Sequence, residues 1–248
     1  MSNEGDEDDE KVTKFPGPGG KRPKPNGSGR RILEIANDSK TAREPIIVLP
    51  PLTKYLCLFL AVIMAALHFM PLELSSALVF HLGFMPARYS GGMDFGWQAF
   101  ASPVAHMFLH GGWLHLGINI GMLMAFGAQL EKAAGMRKFL LVYFISGLGG
   151  ALAHFIFYPT GMNPLIGASG AISGLFGAVL MLLSEEGALG RPGWRGLAPA
   201  ALIWVGVSLF FGFFGMPGED AAIAWTAHIG GFAAGLFCWK QIARLKIR

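Results

Sequence analysis

Ser169 stands in the string Gly167-Ala168-Ser169-Gly170, at the start of an apolar stretch. Its neighbours have no bulk to block an approaching carbonyl. A helix that begins there leaves its first backbone N–H groups unpaired, ready to hold a developing oxyanion. A nucleophilic serine needs a base, and His228 is a candidate on another apolar stretch, Ala-His-Ile-Gly-Gly-Phe-Ala-Ala-Gly. His228, Gly231 and Gly235 fall at i, i+3 and i+7, on one helical face. Gly170, Gly174 and Gly177 make a comparable stripe behind the serine. Small-residue stripes let two membrane helices approach closely. If these two face each other, the imidazole reaches the hydroxyl as a Ser–His pair. The competing reading of both stripes is packing alone.

His115 and Asn119 are four residues apart and point the same way from a helix. An imidazole donor and an amide donor on one face suit an oxyanion hole; the alternative is a polar clamp between helices. His106 and His110 repeat the spacing. Two histidines without nearby carboxylate or cysteine partners make a poor metal site, so they are expected to be structural, hydrogen-bonded to the loop before them. Other chemistry is limited by what is missing. No apolar stretch carries Asp, Glu, Lys or Arg in its middle, which disfavours a Ser-His-Asp triad and a Ser-Lys dyad. The metalloprotease string H-E-x-x-H is absent. Neither a metal nor a cofactor is required. Cys57 and Cys238, the two cysteines, cannot form a disulfide framework.

These residues must be positioned by membrane helices. The 248 residues are 52% hydrophobic and only 15% charged, with a mean hydropathy of +0.46, far less charged than a soluble domain. Six apolar segments are expected near 52–70, 104–128, 137–158, 168–184, 198–215 and 222–240. About 20 apolar residues cross the hydrocarbon core; the fourth segment is short. Nineteen of the twenty Lys and Arg fall in the amino-terminal tail or in alternate connections, and only Arg88 lies opposite. The positive-inside rule then places both termini in the cytoplasm. Thr160-Gly161-Met162-Asn163-Pro164 breaks the chain just before the fourth segment. A helix starting beyond it begins below the outer surface. Irregular backbone at that depth is tolerated only beside protein or a watery cavity, so a cavity open to the outside is expected.

Two further regions are distinctive. Residues 1–54 hold ten of the twenty basic and nine of the sixteen acidic residues. The acidic run at 4–10 and the Pro/Gly/Lys stretch at 15–31 cannot bury a core, so residues 1–50 read as a disordered cytoplasmic tail and 51–248 as the membrane domain. No apolar stretch follows a short basic start, so a signal peptide is not expected. The connection 71–103 carries Phe80, Phe84, Met85, Phe95, Trp97 and Phe100 and should sit in the membrane interface.

Together these residues resemble the rhomboid family over 52–248. The string His106-x3-His110-x4-His115-x3-Asn119 is similar to the family's histidine-asparagine pattern, and Gly127-x3-Glu131 to its glycine-glutamate turn. Gly167-Ala168-Ser169-Gly170 resembles the nucleophile motif, and His228-x2-Gly231-x3-Gly235 the base helix. The resemblance implies an all-α polytopic bundle of six transmembrane helices around a water-filled cavity. It implies an intramembrane serine protease in the cell (inner) membrane, with Ser169 and His228 as a dyad and Asn119, His115 and the Ser169 N–H as oxyanion hole. Gly167, Gly170, Gly174, Gly231 and Gly235 would pack the helices. Substrates would be membrane proteins cut near the outer face; lipids, not nucleic acid or metal, would be the other partners. Two places differ from many members: Trp97-Gln98 replaces a Trp-Arg pair nearer the first histidine, and Ser173 stands where some carry an aromatic residue. The alternatives are a catalytically silent protein of the same fold that binds membrane helices, and a metal or haem carrier using His106, His110, His154 and His228.

Overall fold

Apolar runs this long can satisfy their backbone hydrogen bonds only internally, and the chain accordingly folds as helices. In the computed structural model, residues 49–191, 193–215 and 224–247 are described. They belong to one unit, Leu49–Arg248; the tail expected over 1–50 lies almost wholly outside the described residues. The helices are α1 (Pro51–Phe69), α2 (Leu72–Leu82), α3 (Gln98–Ala105), α4 (Trp113–Met122), α5 (Ala128–Ala134), α6 (Met136–Phe157), α7 (Ser169–Glu185), α8 (Trp194–Phe214) and α9 (Trp225–Ala243). A π-helical turn, Leu123–Gly127, joins α4 to α5 without a break. Among the described residues the one β feature is an isolated antiparallel bridge between Phe84 and Leu165.

Among the described residues four helices are long and apolar enough to cross a membrane: α1, the continuous Trp113–Ala134 rod, α6 and α8. Their outward faces are apolar, with Leu58, Leu152, Ile203 and Phe210 exposed, as expected where lipid is the solvent. The fourth and sixth expected segments are also helices but fall short by these measures. α7 has only 17 residues, and α9 carries His228, Lys240 and Gln241 among its 19.

The second segment differs from its expected bounds. Hydropathy runs unbroken from 104, but the continuous helix starts at Trp113. The Gly111-Gly112 pair precedes that start, and 98–108 form α3, with Pro103 inside it, and a 3₁₀ turn instead. The long connection at 71–103 is likewise not a loop throughout, since α2 and α3 fill much of it. Phe95, Trp97 and Phe100 project from it, exposed. Arg88, within this connection, is buried and donates to the carbonyls of His81 (3.3 Å) and Phe80 (3.4 Å) near the end of α2.

The core is built on α6, α7 and α9. α7 is nearly enveloped, with Ile172, Leu175 and Ala178 fully buried. At the other end of the molecule, Glu131 is buried and accepts three hydrogen bonds, from Leu52 N (2.9 Å), Thr53 N (2.7 Å) and Thr53 Oγ1 (2.8 Å). A carboxylate there satisfies first-turn donors of α1 and opposes its helix dipole. Glu131→Ala should strand those donors and lower stability by about 1–3 kcal/mol, read as a lower thermal midpoint in detergent.

Candidate active site

The serine is positioned by what precedes it. Ser169 is the first residue of α7, so its own N–H is among those the helix leaves free. Gly167, two residues earlier, has φ +120°, a conformation side-chain-bearing residues rarely adopt. Space imposes the same choice. A Cβ on Gly167 would lie 2.9 Å from His115 Nε2 and 3.7 Å from Ser169 Oγ. The His115 ring and the Ser169 hydroxyl thus border one point, with nothing but glycine between them.

The run into Ser169 is held by backbone hydrogen bonds to the 71–103 connection and the 3₁₀ turn that follows α3. Phe84 and Leu165 exchange N–H···O bonds of 3.0 and 2.8 Å, Ala87 N donates to Gly161 O (3.0 Å), and Gly167 N donates to His106 O (2.9 Å). The connection is itself braced by Tyr89, whose ring stacks on Phe84 at 5.0 Å and whose hydroxyl donates to Ala99 O at 2.7 Å. Sequence reasoning misses this clamp. Its partners lie far apart along the chain, and backbone pairs leave no residue-type signature.

His228 is reached through glycine contacts. A Cβ on Gly170 would meet Ala227 O at 3.3 Å, so the residue after the serine lies against the residue before the histidine. A Cβ on Gly231 would run into the Gly170 carbonyl oxygen, and one on Gly235 would lie 2.5 Å from Gly174 Cα. One on Gly174 would lie 2.7 Å from Gly231 O. The two stripes therefore face each other, backbone to backbone. A third set completes the contact: a Cβ on Gly150 of α6 would meet Ala227 O at 2.7 Å, and one on Gly230 would meet Gly149 O at the same distance. Gly149-Gly150 is visible in the sequence, but nothing there ties it to the histidine.

Asn119 is buried, one turn beyond His115, and its Nδ2 donates to the His115 carbonyl at 2.8 Å. One of its two N–H groups is thus committed to its own helix. Ser173, also buried, donates to the Ser169 carbonyl at 2.7 Å, a back-bond typical of helical serine. The expectation for His106 and His110 needs correction. Both are buried, yet their ring nitrogens find no hydrogen-bond partner among the described residues. The tie to the serine's approach runs through the His106 carbonyl instead, because the ring packs beside Phe84 at 6.0 Å. The His110 ring lies edge-on to His115 at 5.2 Å. His154 pairs through Nδ1 with Thr226 Oγ1 at 2.9 Å. Among the described residues no three His, Cys, Asp or Glu side chains converge as a metal-ligand set, so the histidines of the carrier reading are not gathered.

A helical membrane protein with a serine at a helix start, glycine-packed against a histidine helix, is the class these features define. The chain belongs to the rhomboid family: residues 97–243 match its Rhomboid domain. It is 38% identical over 134 residues to RHOMBOID-like protein 5 of Arabidopsis thaliana, covering 54% of this chain and 41% of that protein. It is 33% identical over 142 residues to Rhomboid protease GluP of Bacillus subtilis (strain 168), covering 57% and 25%. A third relative, Inactive rhomboid protein 1 of Papio anubis, is 34% identical over 135 residues, covering 53% and 14%. The matched stretch is thus less than half of each relative's length. Membership and the apolar helices together make this a multi-pass membrane protein.

Proposed function

We propose that this chain is an intramembrane serine endopeptidase that cuts membrane proteins in or near their transmembrane segments. The observation that carries this reading is the junction of α7 and α9, where Gly170 lies against Ala227 and Gly231 while His115 and Ser169 border the same point at Gly167. Ser169 Oγ attacks the scissile carbonyl carbon as His228 takes its proton. The tetrahedral oxyanion is held by the Ser169 N–H, His115 and the second N–H of Asn119. On collapse the C–N bond breaks, His228 returns the proton to the leaving amine, and an acyl-enzyme remains. Water, deprotonated by His228, then releases the acyl group as a carboxylic acid and frees Ser169. The 17-residue length of α7, against the roughly 20 needed to span, favours a start below the outer surface where water can enter.

In this reading α7 and α9 join the four longer helices as a six-span bundle in the cell membrane. Both termini are cytoplasmic, the cavity opens outward, and residues 1–50 form a cytoplasmic tail before the domain at 51–248. A fluorophosphonate probe should label the purified protein covalently and leave Ser169→Ala unlabelled; equal labelling of both would sink the proposal. Asn119→Ala should lower kcat by roughly 10²–10³ with KM little changed, the effect of one oxyanion donor. Unchanged kcat would confine Asn119 to its bond with the His115 carbonyl.

A second reading is a silent rhomboid that binds membrane helices without cutting them. It is favoured by the relative named as inactive and by the commitment of one Asn119 N–H to the backbone. The same probe separates the two.

A further inference from the structure

The rod from Trp113 to Ala134 carries two unrelated tasks. One half presents His115 to Gly167 at the start of α7, with Asn119 one turn beyond it, and the other half presents Glu131 to the first turn of α1. The buried positions along the rod follow no single repeat, since Leu116, Ala128 and Leu130 join Asn119, Leu123, Gly127 and Glu131. The two working ends, however, would not share a side in a regular α-helix. Sixteen residues separate His115 from Glu131, which at about 100° per residue leaves them about 160° apart, on opposite faces. One wider turn absorbs about one residue's rotation and brings the difference down to about 60°. The structure has that turn at Leu123–Gly127, between the two groups.

We infer that the π turn at Leu123–Gly127 is a positioning element that sets the rotational phase between the oxyanion residues and the Glu131 anchor. Its inner side is fixed by packing. Leu123 is fully buried, and a Cβ on Gly127 would lie 2.9 Å from Leu123 Cδ1 and 3.0 Å from Phe139 Cε2 of α6. Phe126 reaches across to α7 and α8, its ring 4.6 Å from Phe176 and 6.3 Å from Trp204. Ala125 is the exposed member of the turn. Removing it would allow an ordinary α-helix while touching no core contact. The two halves would then have to counter-rotate by about 100°. Glu131 and the site residues could no longer both face inward. The functional half of this inference rests on the proposed roles of His115 and Asn119, whereas the phase itself does not.

The test deletes Ala125 from the full chain, in a background of Cys57→Ala and Cys238→Ala. His115→Cys reports the first half through labelling by a membrane-impermeant maleimide, since a thiol reacts only where water allows a thiolate. Glu131→Ala reports the other half through the thermal midpoint. With Ala125 removed, either maleimide labelling of the His115→Cys thiol falls by about ten-fold or more, or Glu131→Ala ceases to lower the midpoint. Unchanged labelling together with an unchanged Glu131→Ala effect overturns the inference. If the deletion does not fold, a second variant restores the count by inserting alanine after Gly121. Recovery of fold and labelling supports the phase role, and failure to recover overturns it. The two proposals can fail separately. Wild-type protein that resists the fluorophosphonate, while labelling of His115→Cys still depends on Ala125, would overturn the protease reading and leave the phase inference standing.

Discussion

Ser169→Ala and His228→Ala should each remove cleavage of a model transmembrane substrate, by at least about 10⁴-fold in kcat, because nucleophile and base act as one unit. The expectation rests on position. Ser169 opens α7 beside His115, and the α9 backbone next to His228 lies on the residue that follows the serine. Neither side chain enters the glycine contacts between α7 and α9. Both variants should therefore keep the thermal midpoint of the wild type and remain helical in detergent. The double variant should be no worse than the weaker single one, since each already disables the pair. Turnover by Ser169→Ala at the wild-type rate would exclude serine catalysis outright.

The second large effect is expected far from any reacting atom. Gly231→Val should collapse activity by about 10²-fold or more, the cost of roughly 1 Å of misplacement, with Ser169 and His228 both intact. Even a bare Cβ at this position would enter the Gly170 carbonyl oxygen, and it would lie 2.7 Å from the Gly170 carbonyl carbon and 3.1 Å from Gly170 Cα. Those are backbone atoms of α7 and cannot swing aside. Relief requires the two helices to separate just where the hydroxyl and imidazole must meet. Phe237→Leu is the control, because Phe237 is exposed on the outer face of the same helix; it should change turnover little. Full activity in Gly231→Val, with the protein folded, would mean that α7 and α9 need not touch for catalysis.

The helices are legible in the sequence because lipid imposes a simple requirement. A crossing segment must satisfy its own backbone and present apolar side chains over a fixed length, so the runs at 52–70, 137–158 and 198–215 correspond to α1, α6 and α8 within a few residues. The same measure misplaces the start of the second helix. Apolarity at 104–112 reflects burial against protein, with Met107 and Leu109 in the interior, and hydropathy does not distinguish that from burial in lipid. The residues at the site are likewise readable as types and spacings: a serine between small neighbours, a histidine on a glycine stripe, and an imidazole and an amide four residues apart.

Tertiary structure alone decides how those groups are aimed. Which stripe meets which is a matter of backbone contact between Gly231 and Gly170, and glycine has no side chain to announce its partner. The bridge between Phe84 and Leu165 and the Gly167 N–H bond to His106 join segments far apart in sequence through groups every residue possesses. Asn119 was readable as a donor, but only its place in the folded helix commits one N–H to the His115 carbonyl. The π turn belongs with these, since the residue types between Leu116 and Glu131 suit a regular helix as well as one wider turn. Only packing of Leu123 and Gly127 against α6, together with the anchoring of Glu131 to α1, selects the wider turn. Composition and periodicity thus determine which residues enter the membrane and which could do chemistry. Their mutual distances depend on contacts between helices, for which the physical information lies in shape and backbone geometry rather than in residue type.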